Sequence, residues 1–108
     1  MRAGVDPTLL LDILGTSWGA STMLARNGPA IVERDFSPRG VPVRLLLKDM
    51  GLVLELAEEL GVDLPLGERT LAFFQEAADR GLAEMEITAL VTVLEDYARR
   101  SGALGSDY

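Results

Sequence analysis

Lys48, Asp49 and Gly51 are the residues of this chain whose types and spacing could do chemistry. They sit inside VPVRLLLKDMGLVLELAEELG, Val41 to Gly61, a stretch that is otherwise mostly apolar. At about 100° per residue, Leu45, Leu46, Leu47, Met50, Leu52, Val53, Leu54, Leu56, Ala57 and Leu60 cover all of a helix but one stripe. That stripe holds Arg44, Lys48, Gly51, Glu55, Glu58 and Glu59. Asp49 falls outside it, among Leu45, Leu52 and Leu56, where an ionised carboxylate is costly unless paired or hydrogen-bonded. A glycine inside a helix costs about 1 kcal/mol against alanine, and it often marks close approach by a ligand or another backbone. On a purely structural reading Lys48 is solvated, Asp49 caps or bonds a neighbouring loop, and Gly51 seats another helix. Periodicity alone favours that reading.

Composition narrows the remaining chemistry. With no cysteine and no histidine, the chain can form no thiol nucleophile, serine–histidine pair, histidine-ligated zinc site or disulfide. No metal is expected, and any chemistry must come from Asp, Glu, Lys, Ser, Thr, Tyr or a bound cofactor. A formal net charge of −7 argues against nucleic acid and anionic membrane as partners, since both call for basic surface. The 108 residues, 48% apolar, make one domain or part of one, with ample apolar content for a core. Arg44, Lys48 and Asp49 interrupt the longest apolar run before it reaches the roughly 18 residues of a membrane span. MRAGVDPT lacks the charged and apolar regions of a secretory signal, so a soluble, cytoplasmic protein is expected.

The elements that must position these residues are helical. Asp6 can cap and Pro7 suits a first helical position, which predicts a helix at about residues 7–14 with Gly15 as its stop. Thr16 to Ser21 is a small-residue connector carrying the one tryptophan. On a loop Trp18 would suit binding, but a lone tryptophan more often packs into the core, and packing is the expectation. Ser21 can cap a second helix through Ala25 or Arg26, which Asn27-Gly28-Pro29 then breaks, with another turn or two from Ala30 to Arg34. Asp35 to Pro42 is the principal loop, leading into a central helix that starts near Pro42 or Val43 and ends at Gly61. With so narrow a polar stripe, that helix should be wrapped by the others as the core of the domain. Pro65 opens the next helix, which runs to about Arg80 before Gly81. Ile87 or Thr88 opens the last one, with Arg99 and Arg100 where the helix dipole favours cations. Residues 101–108 read as a frayed tail, and the fold class is all-α with about five or six helices.

Taken in order, GVDPTLLLDIL, GTSWGASTML, ERDFSP and LLLKDMGLVLELAEELGVDLPL, followed by a final helical pair, resemble one known domain. It is the C-terminal helical domain of the β-hydroxyacid dehydrogenase family, which includes 3-hydroxyisobutyrate dehydrogenase, tartronate semialdehyde and glyoxylate reductases, and imine reductases. The resemblance spans residues 4 to about 100, and its strongest element is the KD pair followed by an apolar helix and G-V-x-L-P-L. It implies a 6-phosphogluconate-dehydrogenase-like helical bundle joined, in the whole enzyme, to an N-terminal Rossmann domain that binds NAD or NADP. The family's catalytic lysine lies on a connecting helix upstream. The resemblance therefore implies no catalytic residue among these 108, and a chain that is inactive alone and is a fragment with Met1 as an internal position. By the same resemblance Lys48 reaches the cofactor near its nicotinamide end, and Asp49 helps to organise the substrate pocket. Val41 stands where some relatives carry a pocket phenylalanine, eight residues before Asp49. A small hydroxyacid or carbonyl substrate and a homodimer formed through this domain are further implications.

Three readings follow. The chain is part of an NAD(P)-dependent dehydrogenase or reductase, a stand-alone helical dimerisation module, or a small-molecule binding module around Trp18, Phe36 and Lys48. With the resemblance counted, the functional reading of Lys48 prevails over the structural one.

Overall fold

Most of the helices begin where a residue can satisfy, or does without, the first amide groups. The computed structural model describes residues 3–100, and over these it contains five α-helices and no strand. Helix α1 is Pro7–Gly15, with the Asp6 carboxylate accepting the Thr8 N–H at 2.9 Å. Helix α2 is Thr22–Glu33, with Ser21 Oγ accepting the Leu24 N–H at 2.9 Å. Helix α3 is Val43–Glu59 and has no side-chain cap. Its first two amides, from Val43 and Arg44, donate to the carbonyls of Met85 and Ala83, both at 2.9 Å. Helix α4, Pro65–Ala77, starts on a proline that needs no partner for its nitrogen. A wide turn at Ala78–Leu82 and a 3₁₀ turn at Ile87–Ala89 then lead to α5, Leu90–Arg100. Gly81 closes the wide turn at φ +87°, a conformation that L side chains rarely adopt. The expected frayed tail, 101–108, lies outside the described residues.

The chain divides into two units. The first comprises, among the described residues, 3–36 and 91–100. Here α1 packs against α2, closely enough that a Cβ on buried Gly28 would lie 2.7 Å from Leu11 Cδ2. That packing overrides the local break expected at Asn27-Gly28-Pro29. Pro29 sits inside an unbroken α2, flanked by buried Gly28 and Ala30, at the cost of one intrahelical hydrogen bond. Helix α2 ends on Arg34 in the left-handed region (φ 55°). Its guanidinium makes a forked contact with Glu95 on α5, at 2.8 and 3.2 Å, and lies 5.5 Å from the centre of the Phe36 ring. The hydrogen bond and the charge of Glu95 hold Arg34 above its usual pKa. Because Arg34 is exposed, the pair contributes at most about 1 kcal/mol.

The second unit is residues 37–90. Its core joins α3 to α4 through buried Val43, Ala57, Phe74 and Ala77. Leu54 and Met50 close over Gly67, where a Cβ would stand 3.3 and 3.6 Å from their terminal carbons. The packing face of α3 is therefore Val43, Leu46, Leu47, Met50, Leu54 and Ala57, an arc of about 100°. The expectation that α3 is wrapped on nearly all sides is not met. A second apolar arc carrying Leu52, Val53, Leu56 and Leu60 is exposed, Leu60 to 68%. A helix can be apolar for cover that comes from beyond the chain, and a periodic pattern does not distinguish that from cover within it. No helix of the described residues is long and apolar enough to cross a membrane.

Candidate functional site

The loop that delivers α3 is anchored before the helix starts. Val41 carbonyl accepts the Ile87 N–H at 3.0 Å, while the N–H groups of Arg39 and Val41 donate to Glu86 Oε2 at 2.7 and 3.2 Å. Helix α3 thus leaves a fixed point, and Lys48 and Asp49 follow within the next two turns. Their side chains meet each other, Lys48 Nζ to Asp49 Oδ1 at 2.9 Å, and are 60% and 54% exposed. The expected loop hydrogen bonds to Asp49 are not what holds it. It stands in the exposed apolar arc beside Leu52 and Leu56, where water and Lys48 compensate its charge. An ion pair this exposed is worth no more than about 1 kcal/mol, so an incoming anionic or polar ligand can take Lys48 at little cost. Arg44, one turn earlier on the same stripe, is engaged by Glu84 at 3.0 Å.

Gly51, one turn beyond Lys48, has nothing within 4 Å of where a Cβ would be. It seats no helix among the described residues. Gly51→Ala should therefore raise the stability of the chain by about 0.5–1 kcal/mol, through helix propensity and unfolded-state entropy. Urea unfolding followed by circular dichroism measures it, and a fall in stability would show that the site is not open.

Trp18 lies in the first unit on the α1–α2 connector, with relative exposure of 105%, so the expectation that it packs into the core is overturned. The connector is too short and tightly turned to fold it back: Ser17 and Ala20 N–H groups are tied to the carbonyls of Leu14 and Ser17 at 3.2 and 3.0 Å. A groove of about 360 Å³ in the same unit is lined by Leu11, Asp12, Leu24, Ala25, Pro29 and Val32 among others, and neither Trp18 nor Phe36 contributes to it. Val41, Lys48 and Asp49 belong to the second unit, so neither unit by itself holds all four candidate residues. Among the described residues no group of three or more acidic, histidine or cysteine side chains could hold a metal ion.

Sequence reasoning missed Glu86, which is fully buried. The local pattern gives no hint of it, because the donors that stabilise it are backbone amides 45 and 47 residues earlier. A Gly beside a Pro-rich loop, Arg39-Gly40-Val41-Pro42, is the nearest signal that an acceptor is needed.

Residues 1–94 match the family model described as NAD-binding of NADP-dependent 3-hydroxyisobutyrate dehydrogenase. The chain is 31% identical over 93 residues to an L-threonate dehydrogenase of Cupriavidus necator, covering 86% of this chain and 31% of that one. It is also 31% identical over 94 residues to 2-hydroxy-3-oxopropionate reductase of Escherichia coli, covering 87% and 32%. Among solved structures it superposes on a 3-hydroxyisobutyrate dehydrogenase from Salmonella typhimurium with a TM-score of 0.80 at 29% identity, covering 85% and 32%. The chain thus spans about a third of the length of the relatives it matches.

Proposed function

This chain belongs to the family of the NADP-dependent 3-hydroxyisobutyrate dehydrogenases, and from that premise we propose that it is the helical part of an NAD(P)-dependent oxidoreductase. The substrate is a small 3-hydroxyacid or the corresponding semialdehyde. The observation that carries the reading is the exposed Lys48–Asp49 pair next to an open Gly51, projecting from a helix whose origin is anchored. These residues fit a nicotinamide cofactor. Lys48 offers an ammonium to the polar groups at its nicotinamide end, and the bare turn at Gly51 leaves room for close approach. When bound, the nicotinamide supplies or accepts the hydride. Asp49 would orient Lys48 through their ion pair and help to order the substrate pocket. Val41 provides an apolar pocket edge in the second unit; Trp18, exposed in the first unit, is a separate substrate-pocket candidate. The general acid is not among these residues, so the 108-residue chain alone turns nothing over. A homodimer formed through this part of the protein is the accompanying proposal. A helical dimerisation module without catalysis is the second reading, favoured by the exposed arc on α3.

Intact mass of the protein from its native source separates the two. A mass near 11.6 kDa supports the module, and one larger by about 150 or more residues supports the enzyme. For the role of Lys48, the chain is exchanged for the corresponding third of Escherichia coli 2-hydroxy-3-oxopropionate reductase. NADPH consumption with a small semialdehyde is then followed. Lys48→Ala should raise KM for the cofactor about tenfold or more, the worth of one charge-assisted hydrogen bond. An unchanged KM would sink the assignment, and turnover by the 108-residue chain above its Lys48→Ala control would sink the claim that the site is partial.

A further inference from the structure

We propose that Glu86 is a positioning residue of this site: its carboxylate holds Val41 and the entry of α3 where the cofactor-facing residues need them. The proposal rests on the reading of Val41 and Lys48 given above. Glu86 is 0% exposed, and a buried carboxylate is tolerated only where donors compensate it. Its Oε2 accepts two backbone N–H groups, from Arg39 at 2.7 Å and from Val41 at 3.2 Å. These donors flank Gly40, whose φ of +108° lets both amides turn toward one oxygen, as a side-chain-bearing residue there would resist. The backbone beside Glu86 finishes the clamp. Ile87 N–H donates to Val41 carbonyl, and Val43 and Arg44 donate to Met85 and Ala83. Pro42, in the cap position of α3, has neither an N–H nor a capping side chain, so the segment 83–87 supplies what a Ser or Asp would ordinarily supply.

Lys48 stands about one turn beyond the pinned amides of Val43 and Arg44. A rigid helix carries any displacement of its first turn to Lys48 and Asp49, and Val41 is held by Glu86 directly. Glu86 therefore sets the pocket edge and the aim of Lys48 without touching substrate or cofactor.

Amide hydrogen exchange of the full chain, read residue by residue by NMR, tests this with two variants of Glu86. Glu86→Gln keeps an acceptor oxygen and should leave Arg39 and Val41 protected to within about threefold of wild type, relative to amides of α4. Glu86→Leu keeps most of the volume and removes the acceptor, and should lower protection at both positions by about tenfold or more on the same scale. Protection lost equally in the two variants would mean that an acceptor oxygen at position 86 does not hold these amides, and protection retained in the Leu variant would mean that something else holds the loop; either overturns the proposal. A Gln variant that fails to fold overturns it as well, whereas a Leu variant that fails beside a folded Gln variant supports it. Lys48→Ala should leave these amides unchanged, its effect being confined to cofactor KM in the chimeric reductase described above, so the clamp and the Lys48 assignment can fail separately.

Discussion

Phe74→Ala should cost the chain about 3–5 kcal/mol, a large share of the 5–15 kcal/mol that holds a typical domain together. The reason is how little else is buried. The buried apolar residues among those described are Ala30, Val43, Ala57, Phe74, Ala77, Ala89 and Val93. Four of them are alanines, and Phe74 is the one large side chain in the set. It sits on α4 with its ring centre 6.4 Å from that of Phe73 and on the side that faces α3 with Ala77. Alanine at 74 leaves a cavity that its small neighbours are unable to fill, so the transfer and cavity costs are both felt. At about 4–8 °C per kcal/mol for a domain of this size, thermal unfolding by circular dichroism should move down by at least about 12 °C. Phe73→Ala, at a half-buried position, is the control and should lose less. A loss below about 1 kcal/mol at Phe74 would mean that the second unit is not held by the α3–α4 seam.

The second large effect concerns association. Leu52, Leu56 and the C-cap residue Leu60 recur every four residues along the exposed arc of α3, with Val53 beside them. If the homodimer proposed above uses this arc, the triple change Leu52→Glu, Leu56→Glu, Leu60→Glu should convert dimer to monomer. Burial of each such side chain is worth about 1.5–3 kcal/mol. Even the loss of one side chain's worth per copy weakens association by more than about 100-fold. Sedimentation equilibrium measures it. Stability of the monomer should change by less than about 0.5 kcal/mol per site, because these side chains are 56%, 56% and 68% exposed. A wild-type chain that stays monomeric at high concentration, or a variant that dimerises as before, would remove this face from consideration. So would a variant that unfolds, since the arc would then be part of the core.

What could be read beforehand was local chemistry. Asp6 and Ser21 cap their helices, Pro65 opens α4, Gly61 follows α3 and Gly81 closes the turn after α4, each because one residue type solves one backbone problem. The family was legible for a different reason: the KD pair and GVDLPL, in order with three earlier segments, make a pattern that composition alone does not. What failed was whatever depends on distant parts of the chain. Pro29 carries a strong local signal to stop, yet the contact of Gly28 with Leu11 outweighs it. Trp18 carries a strong general preference for burial, yet a six-residue connector gives it nowhere to go. The position of Asp49 among leucines was correctly read as unusual, but the leucines face outward. Glu86 was invisible because its role is written in amides far upstream. Lys48 was singled out by type and register; it is 60% exposed and paired with Asp49, a geometry common to the structural and the functional reading.

The first unit is discontinuous: its two pieces flank residues 37–90. Arg34 must wait for Glu95, 61 residues later, before its forked contact can form. The inserted unit, by contrast, draws its contacts from an uninterrupted stretch. During synthesis residues 37–90 can collapse while α5 is still inside the ribosome, whereas α1 and α2 must remain without α5. Loop-closure entropy points the same way, since contacts between distant residues form after local ones. Once residue 90 has left the ribosome, an α3–α4 core can already be in place while the α1–α2 pair is still open to partners, so the order of emergence, and not only the final fold, decides which apolar surfaces are exposed longest.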